Sequence, residues 1–238
     1  MTASKLGKTV NVSESTVVRF AAELGYDGYP SMQKALQEMI RNKLTSIQRI
    51  EVANDRIGNQ DILSMVMQSD IEKIRMTLEE TDRASFRQAV DAILSAHRIY
   101  ILGVRSAAAL ADFLGFYFNL IFDNIVLVHT TSASEIFEQL LRVGPEDVVI
   151  GISFPRYSMR TLKAMEFAND RSAKVITITD SVHSPMNLYS SCNLLARSDM
   201  VSIVDSLVAP LSVINALVVA LCMKSPEQVR KNLERLEN

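Results

Sequence analysis

The chain has 238 residues, enough for one or two domains, and its 48% hydrophobic and 22% charged residues are typical of a globular protein with a sizeable core. A net charge of −2 excludes an overall basic field that would draw the whole molecule onto nucleic acid or an anionic membrane. Cys192 and Cys222 lack redox or metal-ligand spacing, the N-terminus lacks a signal peptide's apolar segment, and the apolar stretch 207–223 is too short to span a bilayer. We therefore expect a cytoplasmic protein with no membrane partner.

The first predicted elements are two short helices joined by a tight turn. Residues 2–9 form a helical stretch, Ser13 is a natural N-cap for the next helix, and Gly25 is placed to end it. Two helices in this arrangement are typical of a helix-turn-helix, whose second helix enters the major groove of DNA. The residues expected to contact DNA lie at the start of that helix: Ser13, Ser15, Thr16 and Arg19. A plain helical hairpin is the alternative interpretation.

A complete helix-turn-helix domain needs a further helix to bury the apolar backs of these two, and nothing ahead of Thr2 supplies it. We therefore expect a partial, N-terminally incomplete domain. Ser31 is then expected to cap one long helix over residues 31–56, whose apolar stripe would pack within its own domain or against a second copy. The break at residues 57–59 predicts two domains, 1–57 with the linker helix and 58–238.

Beyond residue 98 the pattern changes to short apolar runs that alternate with helical segments, after two further helices at 61–79 and 82–95. This alternation predicts an α/β domain with a five-stranded parallel, doubly wound sheet covered by helices on both faces. The predicted strands are 99–102, 125–128, 148–152, 175–178 and 194–196, and the chain closes with helices at 201–223 and 226–236.

Polar residues gather where the predicted strands end, most clearly after strand 148–152. There a short loop opens a helix, so free backbone N–H groups and the positive end of the helix dipole meet at one point. Ser153, Ser158 and Thr161 add hydroxyl donors suited to phosphate oxygens. The sequence therefore favours a phosphorylated or heavily hydroxylated small ligand. The alternative is an ordinary turn whose hydroxyls only cap the helix.

Four stretches of the sequence are distinctive: VSESTVVRFAAELGYDGY (12–29), GVRSAAALADFLG (103–115), GISFPRYSMRTLKA (151–164) and ITDSVHSPM (178–186). Together they resemble the RpiR-type (MurR/RpiR) bacterial transcription regulators, which join a helix-turn-helix to a sugar isomerase (SIS) domain. The resemblance implies a homodimeric or homotetrameric DNA-binding regulator whose SIS domain binds a phosphosugar and thereby modulates binding to operator DNA. By position it implies that Ser106 belongs to the first SIS loop, and that Ser153, Ser158 and Thr161 belong to the second, phosphate-binding loop.

The sequence departs from the SIS pattern in both loops. Val104 stands where a second glycine is expected in the first loop, and a Cβ there limits how closely the backbone approaches a phosphate. In the second loop Phe154-Pro155-Arg156-Tyr157 replaces the usual serine-glycine-x-threonine. We therefore expect a ligand that is larger or differently charged than a simple sugar phosphate, with Arg156 as a bidentate clamp and Tyr157 beside it.

The main alternative function is that of an enzyme, a phosphosugar isomerase or lyase on the same fold. Glu135 and His183 lie near predicted strand ends and are candidates for the proton transfers of such a reaction. Each has a simpler explanation, because Glu135 lies in the first turn of a helix and His183 in a loop. The three histidines are widely spaced, so we expect neither a metal nor a cofactor.

Overall fold

The computed structural model describes residues 1–57, 61–130, 132–199 and 202–237. They divide into two compact units, Met1–Glu51 and the chain from Val52 onward, and each unit is described by itself. Gly58 and Asn59, where the sequence predicts the domain boundary, lie outside the described residues. That boundary therefore stays a prediction.

The first unit begins with α1 (Ala3–Thr9), α2 (Glu14–Glu23) and α3 (Gly28–Lys43). The predicted N-cap is confirmed, because the Ser13 hydroxyl accepts a hydrogen bond from the Thr16 N–H at 3.1 Å. After α2 the chain turns at Gly25, whose φ of +84° is a conformation that favours glycine. The turn after α1 lies so close to that helix that a Cβ on Gly7 would stand 2.8 Å from the Val12 carbonyl oxygen.

The single helix predicted over residues 31–56 is wrong. The structure has two helices instead, α3 and α4 (Ser46–Ile57), and α3 begins at Gly28 rather than after Ser31. The break has a local cause, a reciprocal cap in which the Gln48 N–H donates to the Thr45 hydroxyl at 3.3 Å and the Thr45 N–H donates to the Gln48 amide oxygen at 2.9 Å. This capping box starts a new helix, although the apolar stripe continues across the break.

The second unit opens with α5 (Ile62–Glu80) and α6 (Arg83–Leu94), and its centre is a parallel sheet. The strands are β1 (Ile99–Gly103), β2 (Ile125–Leu127), β3 (Val148–Ile152), β4 (Lys174–Thr179) and β5 (Cys192–Leu195). Their order is β2-β1-β3-β4-β5, and every neighbouring pair is parallel. The predicted five-stranded parallel sheet is confirmed.

Helices cover both faces of the sheet, and the strand residues divide between two apolar clusters. The helices that follow the strands are α7 (Ala108–Ile121), α8 (Ala133–Gln139), α9 (Met159–Asp170), α10 (Val208–Lys224) and α11 (Pro226–Glu237). Ile99 and Ile101 of β1 pack in the cluster that contains Phe118, whereas Tyr100 and Leu102 pack in the cluster that contains Met165. Burial on both faces explains why these strands are continuously apolar.

The predicted helix over residues 201–223 begins later than expected. In the structure α10 starts at Val208, and residues 202–207 form an irregular segment ahead of it. Within the described parts of the chain, no single helix is both long and apolar enough to cross a bilayer. In those parts only α10 and α11 taken together have the length and apolar composition of a membrane-spanning segment, and they are bent by 97° relative to each other.

Candidate functional site

A cavity of about 150 Å³ lies beyond the carboxyl ends of β1 and β3. From β1 the chain crosses to β2 on one side, and from β2 it returns past β1 to β3 on the other, so the loops after β1 and β3 diverge. Such a switch point is where parallel α/β sheets bind ligands. The residues that line the cavity come from these two loops and from the segment before α10: Val104, Arg105, Ser106, Ala107, Ser153, Phe154, Pro155, Arg156, Ser158 and Asp205.

The first loop turns tightly at the end of β1. A Cβ on Gly103 would stand 2.5 Å from the Ala107 carbonyl oxygen, so the short 3-10 turn Arg105–Ala107 can close only over a glycine. Arg105 has a φ of +61°, and Arg156 in the second loop has a φ of +65°. Left-handed backbone at a non-glycine residue costs about 1–3 kcal/mol and is concentrated at binding sites. Both loops of this cavity therefore hold strained backbone.

The second loop is held by its own serines. The buried Ser153 hydroxyl accepts from the Ser158 N–H at 3.2 Å, and the Ser158 hydroxyl accepts from the Thr161 N–H at 3.4 Å to cap α9. Ser158 thus both caps α9 and lines the cavity, while Ser153 lines the cavity and holds the loop. Because a hydroxyl that accepts a bond still carries its own O–H donor, Ser153 and Ser158 can also donate to an anion in the cavity.

The Arg156 guanidinium is paired with a carboxylate from a distant part of the sequence. Its Nη2 lies 3.3 Å from Oδ2 of Asp205, and the two side chains are 30% and 8% exposed. The buried Arg156 Nε finds no hydrogen-bond partner among the described residues. Sequence reasoning missed Asp205, because it placed residues 201–223 in one helix and no local signal links positions 49 residues apart.

Two of the predicted ligand-binding residues, Tyr157 and Thr161, are not among the residues that line the cavity. The Tyr157 hydroxyl donates to the Asp180 carboxylate at 2.7 Å. Thr161 faces the core from α9, is fully buried, and its hydroxyl has no hydrogen-bond partner among the described residues. The structure therefore brings Ser106, Ser153, Arg156 and Ser158 to the cavity, and ligand binding by any of the six residues stays a prediction.

The four predicted DNA-contacting residues form one exposed surface at the start of α2. The Ser13 hydroxyl lies 2.8 Å from both the Ser15 and the Thr16 hydroxyl, and Arg19 lies one turn further along. Beside this surface an open groove of about 530 Å³ is lined by apolar residues of α1, α2 and α3, among them Phe20 and Leu24, each 55% exposed. Of Val17, Phe20 and Leu24, which lie at helical spacing and form an apolar stripe, only Val17 is buried.

Comparison with protein families matches both units. Residues 1–43 match the helix-turn-helix domain of the rpiR family, and residues 92–220, more than half of the chain, match the SIS domain. The chain belongs to the RpiR family. Its predicted resemblance to RpiR-type regulators is therefore confirmed.

The RpiR-family chain is similar to known proteins along most of its length. An uncharacterised HTH-type transcriptional regulator of Clostridium perfringens is 26% identical over 82% of this chain and 69% of its own length. The sugar isomerase domain of an RpiR transcription factor from Sphaerobacter thermophilus is 28% identical, with a TM-score of 0.71 over 75% of this chain and 99% of that one. The Vibrio vulnificus NanR protein complexed with ManNAc-6P is 22% identical, with a TM-score of 0.67 over 100% of this chain and 84% of that one.

The candidate catalytic residues of this RpiR-family chain do not line the cavity. Glu135 lies in the first turn of α8 and accepts a short hydrogen bond from the Thr130 hydroxyl, and His183 is exposed in the loop after β4. The carboxylate that does line the cavity, Asp205, is engaged with Arg156. Over the described ranges, no group of three or more His, Cys, Asp or Glu side chains is placed to hold a metal.

Proposed function

We propose that the protein is a DNA-binding transcriptional regulator whose SIS domain binds a phosphorylated sugar, and that this binding modulates its affinity for operator DNA. The observation that carries the proposal is the cavity at the β1–β3 switch point, lined by Ser106, Ser153, Ser158 and Arg156 in a chain that also holds a helix-turn-helix. The ligand of NanR, a protein of similar fold, is a phosphorylated sugar, which supports this ligand class.

The groups around the cavity suit a phosphate better than an uncharged ligand. The N-terminus of α9 offers backbone N–H groups and the positive end of the helix dipole, and the serine hydroxyls supply further donors. A cavity of about 150 Å³ is smaller than the roughly 300 Å³ at which pockets for whole small molecules begin. We therefore infer that it encloses the phosphate, while the sugar extends toward the mouth.

The helix-turn-helix surface supplies the DNA contacts. Ser15, Thr16 and Arg19 are exposed on α2, where an N-terminal end that enters the major groove reaches base edges and phosphates. One such helix reads only a few base pairs, so two copies are needed for a specific site. We infer a homodimer or homotetramer that presents α2 in pairs to operator DNA.

A sensor fits the cavity better than an isomerase or lyase does. Sugar isomerisation needs a group that takes a proton from carbon within hydrogen-bond reach. Asp205 is the carboxylate on the cavity wall, and it is occupied by an ion pair with Arg156, whose Nη2 lies 3.3 Å from its Oδ2. The exposed Glu135 and His183 lie elsewhere on the sheet edge.

Phosphorus NMR with a panel of sugar phosphates tests the proposal. Shifted or broadened resonances without new species are expected for the wild type, and Ser153→Ala should reduce them. Ser134→Ala is the matched control, because Ser134 is an exposed serine of α8 that does not line the cavity. New resonances that grow with time would show an enzyme, and unchanged spectra would contradict phosphate binding at this cavity.

A further inference from the structure

The position of Asp205 raises a problem for a cavity that takes an anion. Its carboxylate lines the same cavity as the serines, and the Asp205 side chain is only 8% exposed, so solvent screens its charge weakly. A phosphate carries about 1.5–2 negative charges near neutral pH and would be repelled by such a carboxylate. An anion can bind only if the guanidinium of Arg156 compensates for this repulsion or Asp205 moves away.

The contacts of Arg156 favour an exchange of partners. The described contact with Asp205 is one hydrogen bond of 3.3 Å from Nη2, and Nε is buried without a partner among the described residues. A guanidinium binds best through two parallel N–H bonds, which a phosphate can accept. Arg156 therefore has unused donor capacity that a phosphate could satisfy.

The segment that carries Asp205 is tied to α5. The next residue, Ser206, is buried, and its hydroxyl donates to the Asp70 carboxylate of α5 at 2.6 Å. Asp70 also lies 3.4 Å from the ammonium of Lys73, which is 4% exposed. A displacement at Asp205 therefore reaches a partly buried charge pair on α5 through one intervening peptide unit.

Arg197, which precedes Asp205 in the chain, contacts α5 as well. Arg197 donates to both carboxylate oxygens of Glu80 at 2.6 Å, and its backbone N–H donates to the Thr77 hydroxyl at 2.9 Å. In sequence, α5 is the first helix described beyond residue 60 and follows the helix-turn-helix unit and α4. The contacts of Arg197 and Ser206 thus tie the chain on both sides of Asp205 to α5.

We propose that Asp205 is a built-in competitor for the anionic group of the ligand. A phosphate takes Arg156 from Asp205, and the displaced segment passes the change through Ser206 to Asp70 on α5. This inference rests on the proposed function, since it assumes that the cavity binds a phosphate. In this proposal Asp205 sets the affinity for the ligand, and Ser206 transmits the effect of ligand binding to α5.

Inorganic phosphate is the probe, and its affinity is measured by phosphorus NMR on the full chain. Asp205→Asn keeps the size of the side chain but removes the competing charge, so its affinity for phosphate should rise about ten-fold, within the usual range of coupling between sites. Ser206→Ala keeps Asp205 and Arg156, so its affinity should stay within about two-fold of the wild type.

Hydrogen exchange of the α5 amides measures the transmission. Saturating phosphate should raise exchange around Asp70 several-fold in the wild type and leave it unchanged in Ser206→Ala. A wild-type-like response in Ser206→Ala would overturn the transmission step. Unchanged or weaker binding by Asp205→Asn, in a protein that otherwise binds phosphate, would show that Asp205 positions Arg156 instead of competing for it.

Failure of the proposed function gives a different result. If neither the wild type nor Asp205→Asn binds phosphate, the cavity is not an anion site and both proposals fall together. If only Asp205→Asn binds it, the competition is supported, because removal of one carboxylate then suffices to create the site. Should Asp205→Asn not fold, Asp205→Ser makes the same test with a smaller side chain.

Discussion

The two units of this chain are built in opposite ways. The buried apolar core of the helix-turn-helix unit consists of Val17, Ala21, Tyr29 and Met32, and large apolar side chains such as Phe20 remain exposed beside it. The SIS unit has two apolar clusters, one on each face of its sheet, and the residues that line its cavity lie at one edge. The proposed DNA contacts therefore lie on a helix surface in the first unit, and the proposed ligand site lies at strand ends held by a large core in the second.

The largest loss of stability should come from a substitution in the core of the SIS unit. Phe118 of α7 is fully buried, and Phe118→Ala should lower the free energy of unfolding by about 3–5 kcal/mol through lost burial and a new cavity. Phe116→Ala on the same helix is the control, because Phe116 is 62% exposed and its loss should cost about 0.5 kcal/mol or less. Urea denaturation followed by circular dichroism measures both, and equal losses would contradict the burial.

A smaller change should disable the first unit alone. The Cβ of Gly7→Ala would meet the Val12 carbonyl oxygen at 2.8 Å, so we expect a loss of about 1–3 kcal/mol and of most DNA binding. Gly144→Ala is the matched control, since nothing lies within 4 Å of its added Cβ. Electrophoretic mobility shift measures DNA binding, and phosphosugar binding by Gly7→Ala should stay intact. Parallel loss of both activities would show that the units do not fold independently.

The division of labour between the units is tested by a pair of substitutions. Arg19→Ala should weaken DNA binding by about 1–3 kcal/mol without changing ligand affinity. Ser153→Ala should lower ligand affinity by about 1 kcal/mol, the usual contribution of one hydrogen bond, and leave DNA affinity without ligand unchanged. Fluorescence anisotropy with labelled DNA and phosphorus NMR report the two activities. If each variant loses both activities equally, the assignment of one activity to each unit is wrong.

The smallest expected effect compares two helix caps with similar geometry. Ser13 caps α2 at 3.1 Å and Ser158 caps α9 at 3.4 Å. Replacement of either by alanine should cost about 1 kcal/mol of helix stability. Because the first unit has the smaller core, Ser13→Ala should raise local hydrogen exchange over the whole of α2, whereas Ser158→Ala should raise it only in the first turn of α9. Exchange that spreads further along α9 than along α2 would contradict the conclusion that the smaller core makes the first unit less stable.

Local patterns predicted most of the fold because each strand is a short apolar run between polar loops. The prediction of β3 agrees with the structure at both ends, and those of the other strands agree within about two residues. Helix ends were harder where apolar spacing continued through a break, as at the Thr45 capping box and at Ile203 and Val204 ahead of α10. There hydrogen bonds and tertiary contacts override periodicity.

Only those residues of the candidate site that directly follow a predicted strand could be predicted from the sequence. Loops that follow parallel strands meet at one edge, so Ser106, Ser153 and Ser158 could be grouped without a structure. The pairing of Arg156 with Asp205 could not, because it depends on how the chain returns from β5 to α10. The loop side chains that face the cavity could not be predicted either, because their orientation depends on the backbone conformation of the loops.

The left-handed backbone at Arg105 and Arg156 has a consequence for the thermodynamics of binding. Each loop is fixed in one strained conformation by folding, so the ligand does not have to supply the conformational entropy of ordering it. Glycine at either position would relieve the strain but would let the loop sample other shapes. The folding energy of the SIS unit thus maintains pre-organised loops, which for the proposed anionic ligand favours tight and selective recognition over adaptability.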